Sequence, residues 1–250
     1  MADLDRNYTQ PQTIGRQAEA VDAGLRAYML RVYNYMGIGV AITGVVAYFT
    51  YAMAVIQTDA GPQLTSFGSF IYTSPFKWVV IFAPLVMVFV LSARMNKMSL
   101  GAAQLCFWIF AGLMGLSISS IFLVYAGQSI ARVFFISSAS FGALSLYGYT
   151  TGRDLSGWGS FLFMGLIGII IASLVNLFIA SSALQFAVSV VGVLIFAGLT
   201  AYDTQQIKEM YYVGDDGTVA GRKAVMGALR LYLDFINLFM MLLQLFGDRR

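Results

Sequence analysis

Residues 225–246 read VMGALRLYLDFINLFMMLLQLF. The stretch is long enough to cross ~30 Å of hydrocarbon as a helix, which takes about 20 residues at ~1.5 Å each. It carries two charged residues, Arg230 and Asp234. Its polar residues are ordered. Arg230, Asp234, Asn237, Met241 and Gln244 step by four, three, four and three, so at about 100° per residue they fall within about 80° of arc. Leu231, Leu233, Phe235, Ile236, Leu238 and Phe239 cover the other faces. A helix of this kind hides its polar stripe among other helices or along a water path. The sequence therefore places it last and central in an all-α bundle of membrane-spanning helices.

Six further apolar stretches support that reading. They run over about 32–54, 77–95, 103–125, 131–150, 159–180 and 183–203, and each is near the ~20 residues of a spanning helix. A membrane β-barrel would instead show alternating segments of about ten residues. The composition agrees with a polytopic membrane protein. Of 250 residues, 59% are hydrophobic and 11% are charged, against about 45–50% and about 25% in soluble domains. Residues 1–31 form a polar tail with a helix expected near 17–31, and residues 32–247 form the seven-helix transmembrane domain. The short gap from Ser181 to Ala183 predicts a tight hairpin between the fifth and sixth spans.

Orientation follows from the basic residues, which gather on the cytoplasmic side of membrane proteins. With the N-terminus inside, the inner segments hold Arg6, Arg16, Arg26, Arg31, Arg94, Lys97, Arg153, Lys208, Arg222, Lys223 and Arg230, and the outer ones hold Lys77, Arg132, Arg249 and Arg250. That is eleven against four. It predicts a cytoplasmic N-terminus, an external C-terminus and a long, Gly-rich, mobile inner loop over 204–224.

Absences narrow the chemistry. The chain has no His and a single Cys, Cys106 in AAQLCFWIF. Histidine triads, histidine metal sites, disulfide frameworks and zinc clusters are excluded. No P-loop or dinucleotide-binding glycine pattern stands at a strand–helix boundary. The reading is of a protein that is not an enzyme and has no nucleic-acid partner. Small residues, among them Gly112, Gly115, Ser117, Ser137, Gly142, Gly165 and Gly168, are read as packing residues that let helix backbones approach.

Among the acids, Asp203 in LTAYDTQQIK and Asp234 stand near or inside the apolar spans. A charge near a bilayer centre costs at least ~2.5–3.5 kcal/mol and usually faces a cavity or a partner. Asp234 lies nine residues beyond Val225, about 13 Å into the layer. Asp203 ends the sixth span, and Arg94 ends the second on the same side. Two plainer readings stand beside a functional one. Arg230 and Asp234 are spaced for an intrahelical ion pair, and Asp203 could be an interfacial residue or a loop cap.

The segments AYDTQQIK, around Asp203, and LYLDFINLF, around Asp234, resemble the two signatures of the Bax inhibitor-1 (transmembrane BAX inhibitor motif) family. SFLFMGLIGIIIASLVNLF, residues 160–178, is similar to its bacterial members. The resemblance covers about residues 30–247. It implies a seven-helix bundle with a central last helix in the bacterial cytoplasmic (inner) membrane, and a pH-sensitive calcium leak controlled by an aspartate pair, here Asp203 and Asp234. It further implies an arginine on the second helix that pairs with the first aspartate, for which Arg94 is the candidate. Some bacterial members are linked to the membrane protease FtsH, so a regulatory, non-transporting role is the alternative. One departure is the loop with Gly214 to Gly221, which is long for a bacterial member.

The chemistry permits such a leak. Two carboxylates close together in a low-dielectric site cannot both ionise cheaply, and they titrate as a pair. At lower pH they share a proton and hold their helices together. At higher pH both are anionic and repel or bind a cation. Calcium takes about six to eight oxygen ligands, and two carboxylates supply at most four. Asp203 and Asp234 would therefore make a weak Ca2+ site, completed by Asn237, Thr200, Tyr202, backbone carbonyls or water. An aspartyl-protease dyad is the remaining use of two aspartates, and the GxGD motif expected of it is missing.

Overall fold

The computed structural model describes residues 10–58 and 61–250, without the side chains of 10–20 and of Asn96. Its elements run α1 Gln10–Ala54, β1 Val55–Thr58, β2 Gly61–Leu64, α2 Ser66–Tyr72, α3 Lys77–Arg94, a 3₁₀ turn Met95–Lys97, α4 Leu100–Ile118, α5 Ile121–Val124, α6 Gly127–Thr150, α7 Ser156–Ile179, α8 Ser182–Glu209 and α9 Gly217–Phe246. Seven helical stretches are long and apolar enough to cross a membrane: Val21–Ala54, Lys77–Arg94, Leu100–Val124, Gly127–Thr150, Ser156–Ile179, Ser182–Glu209 and Gly217–Phe246. The protein is an all-α, polytopic membrane protein.

The helix ends follow local chemistry. Thr65, Ser99, Ser181 and Asp216 each cap a helix by accepting a backbone N–H with the side-chain oxygen, which satisfies one of the donors a helix start leaves free. The expected hairpin between the fifth and sixth spans is as short as two residues allow: α7 ends at Ile179, Ala180 takes a left-handed conformation, and Ser181 caps α8.

Two readings differ from what is seen. The helix expected over 17–31 is not separate, because α1 runs unbroken from Gln10 into the first span. Residues 1–9 of the expected tail lie outside the described residues. The long inner loop over 204–224 is short: α8 continues to Glu209 and α9 begins at Gly217, leaving 210–216. Polar residues continue both helices past the hydrocarbon, and the linker is fastened by a Lys223–Asp215 ion pair and by Lys223 donating to the Met210 carbonyl. Between the first two spans a small antiparallel hairpin forms, with Val55 paired to Leu64 and Thr58 to Gly61.

Contacts sort the chain ends into two sides. On the side where α1 begins, Gly24 abuts Tyr211, Arg222 donates to the Met98 carbonyl, and Gln205 bonds the Arg153 and Leu155 backbone. On the far side, Tyr72 bonds Ser119 and Arg249, past the end of α9, forms an isolated antiparallel bridge with Tyr125. The helices thus run alternately up and down.

α9 packs against α8, α1, α6 and α4. Of its apolar span, 67% is buried, against 11–33% for the other six. Its Tyr232 stands edge-on to Phe107 and Phe110 of α4. The Tyr232 hydroxyl meets Thr43 Oγ1 of α1 at 2.6 Å, and Thr43 in turn donates to the Ala111 carbonyl at 2.9 Å. One buried hydroxyl pair therefore ties three helices together.

Candidate functional site

α8 and α9 are antiparallel neighbours, and the polar stripe of α9 meets α8 at Asp234, Met241 and Gln244. At one end Ser189 donates to Gln244 at 2.8 Å. In the middle Gly192 leaves room for Met241. Toward the side where α1 begins, Asp203 meets Asp234, the two carboxyl groups standing within hydrogen-bonding reach of one another. Asp234 is 5% exposed, and among the described residues its Oδ2 has no hydrogen-bond donor.

The pair lines a cavity of about 1000 Å3 whose wall includes Arg230, Asn237 and Tyr202. Residues of α7 from Ser156 to Ile170 line it, a run of about 21 Å at ~1.5 Å per residue, or most of the ~30 Å layer. Ile81, Pro84, Leu85 and Val88 of α3 form the facing wall. The α7 and α8 hydroxyls of Ser156, Ser160 and Tyr202 and the α4 hydroxyl of Ser117 add polar groups. Near Ser156, the exposed Asp154 accepts its backbone N–H at 2.8 Å, and that bond together with the Ser156 side chain holds the Asp154 carboxyl below the usual carboxylate range.

The sequence-derived residues are placed as follows. Asp203, Asp234, Arg230 and Asn237 share the cavity. Gln244 does not line it and is bonded to Ser189. Arg230 faces the cavity close enough for its charge to act on both aspartates. The two ion pairs among the described residues, Arg132–Asp248 and Lys223–Asp215, lie elsewhere, so the i,i+4 pair of Arg230 with Asp234 is not formed. Arg94 is exposed at the last position of α3 and is not in the cavity wall. It lies six residues beyond Val88, the last α3 residue to line the cavity, which is about 9 Å along the helix. The arginine beside the aspartates is Arg230.

Of the oxygens named for a cation, Asn237 and Tyr202 line the cavity. The Thr200 hydroxyl is fully buried and donates to the Phe196 carbonyl at 2.7 Å. Ser117 was assigned to packing, and its place in the cavity wall carried no sequence signal, since a serine in an apolar run serves either purpose. Among the described residues no cluster of three or more acids, His or Cys exists. A divalent cation here would rest on two carboxylates, neutral oxygens and water.

Residues 25–250 match the family described as inhibitor of apoptosis-promoting Bax1. The chain belongs to the Bax inhibitor-1 family. Its relatives include the inner membrane protein YbhL of Escherichia coli strain K12, 46% identical over 231 residues, which cover 91% of this chain and 94% of the relative. The uncharacterized protein RP147 of Rickettsia prowazekii is 46% identical over 244 residues, 98% of this chain and 99% of the relative. An uncharacterized membrane protein of Streptococcus pyogenes serotype M3 is 38% identical over 229 residues, 90% and 94% of the two chains. The Bax inhibitor-1 match spans all seven helices and both aspartate segments.

Proposed function

We propose that this Bax inhibitor-1 protein is a pH-regulated leak for cations, calcium among them, in a bacterial inner membrane, with Asp203 and Asp234 as its proton and cation sensor. The observation that carries the reading is the unpartnered Asp234 Oδ2, buried and facing a second carboxyl group across the α8–α9 contact. Two carboxyl groups so placed are at ease when a proton bridges them or a cation neutralises them. The bridged form links α8 to α9. The doubly ionised form repels, or takes a cation from the cavity, and frees the helices to move. Arg230 supplies the fixed positive charge that disfavours cations while it faces the pair. A site of two carboxylates and neutral oxygens holds calcium weakly, which suits passage better than storage.

The test is calcium flux into proteoliposomes across pH. Flux in the native protein rises as pH rises and the shared proton is lost. Asp234→Asn and Asp203→Asn each remove that dependence, because an amide keeps a hydrogen-bonded partner at every pH. A pH profile unchanged in both variants, or no flux from the folded native protein, overturns the reading.

A further inference from the structure

A second cavity, separate from the aspartate pair, opens between α1 and α6. Its volume is about 600 Å3. Leu30 of α1 and Leu146 of α6 form its lips and are 53% and 62% exposed. Between them the wall recedes at Gly142, where a Cβ would meet nothing within 4 Å. From Arg26 to Tyr33 the groove follows α1 for about 10 Å, and one leaflet of hydrocarbon is about 15 Å deep. At the floor Tyr33 bonds Ser145 at 2.7 Å and Ser145 bonds Thr204 at 2.9 Å. The polar groups there are thus already satisfied, and the open face is apolar.

Charge marks one end. Arg26 lines the same end of the groove as Tyr149, which stands one residue before α6 ends at Thr150. Behind Tyr149, which lines the same end, Lys208 donates to the Tyr149 carbonyl at 2.9 Å and lies over its ring. Among the described residues no acid lines the groove and no ion pair engages Arg26. An exposed apolar slot about two-thirds of a leaflet deep, with cations at one end, has the complement of an anionic phospholipid: acyl chain between the lips, phosphate at Arg26. A zwitterionic lipid fits the slot but gains less from the cations, and a soluble anion gains nothing from the slot.

We propose that the α1–α6 groove is a binding site for an anionic phospholipid of the leaflet on the side where α1 begins. The occupant touches α1 and α6, and through Ser145 and Thr204 it abuts the helix that carries Asp203. The site stands whether or not the aspartate pair conducts cations.

The full chain is reconstituted in bilayers of equimolar phosphatidylglycerol and phosphatidylcholine and extracted in mild detergent, and its retained lipid is measured by native mass spectrometry. The native protein retains phosphatidylglycerol preferentially. Arg26→Gln lowers that preference about fivefold, the factor one cation near a lipid surface supplies. Gly142→Trp fills the slot and loses both lipids, with an unfolding midpoint close to that of the native protein. Leu146→Trp, on the exposed lip, gives the same loss if Gly142→Trp proves unstable. Equal retention of the two lipids by the native protein, or undiminished retention by the filled variants, overturns the proposal. So does displacement of the phospholipid by inorganic phosphate alone, which would leave only an anion contact at Arg26.

Discussion

At the scale of single residues, the small amino acids divide into two kinds that look alike in sequence. A Cβ at Gly115 would stand 2.6 Å from the Thr43 carbonyl oxygen and 2.9 Å from the Val46 side chain, whereas at Gly112, three residues earlier on α4, it would meet nothing. Gly115 lets α4 approach α1, and the backbone atom it faces cannot step aside. Gly115→Ala should therefore lower stability by about 1–3 kcal/mol, the usual range for overpacking. Gly112→Ala should be neutral or stabilising by up to about 1 kcal/mol, since alanine is the better helix former. Thermal unfolding of the two purified variants in detergent checks the pair, and equal effects would contradict the packing assigned to Gly115. Gly165 also touches a neighbour, but what it faces is the tip of the Ile195 side chain, which can yield, and Gly168 and Gly142 behave like Gly112. Composition marked all of them as small residues. Which ones touch a neighbour depends on how each helix is rotated, and an apolar helix in lipid carries little pattern to reveal that.

At the scale of elements, hydropathy placed the spans well and their ends poorly. The seven apolar stretches and the seven spanning helices coincide, but α8 and α9 run on through charged residues to Glu209 and from Gly217. A helix leaving the membrane is held by caps and ion pairs, such as Asp216 accepting from the Val219 N–H at 2.7 Å, and hydropathy does not register these. The α7–α8 hairpin shows the opposite case, a turn legible from length alone whose strain was not. Ala180 adopts φ 51° and ψ 36°, a left-handed conformation that costs an L-residue about 1–2 kcal/mol. Glycine takes it freely, at some cost in unfolded-chain entropy. Ala180→Gly should raise stability by about 0.5–1 kcal/mol net, read as a higher unfolding midpoint. A lower midpoint would mean that the alanine methyl supplies packing that outweighs the backbone strain.

At the scale of the whole molecule, the candidate site was legible because charges are rare in apolar spans. Asp203, Asp234, Arg230 and Asn237 could be singled out before any fold was known, and they line one cavity. Counting placed Arg94 at the same end of the bundle as the aspartates, where the structure has it, but its depth relative to the cavity depends on how α3 sits against α4. Orientation itself rests on eleven basic residues against four, an asymmetry that predicts the α8–α9 linker inside and the β1–β2 hairpin outside. The prediction can be read directly, because Cys106 is the chain's single thiol. In a Cys106→Ser background, Gln63→Cys marks the exposed hairpin and Thr218→Cys the exposed start of α9. In intact spheroplasts a membrane-impermeant maleimide should label the Gln63 variant. The Thr218 variant should react only after the membrane is opened. The reverse pattern would turn the whole bundle over. The Ser156 end of the aspartate cavity and the Arg26 end of the α1–α6 groove would then both face the outer side, and the proposed proton sensor would answer to external pH.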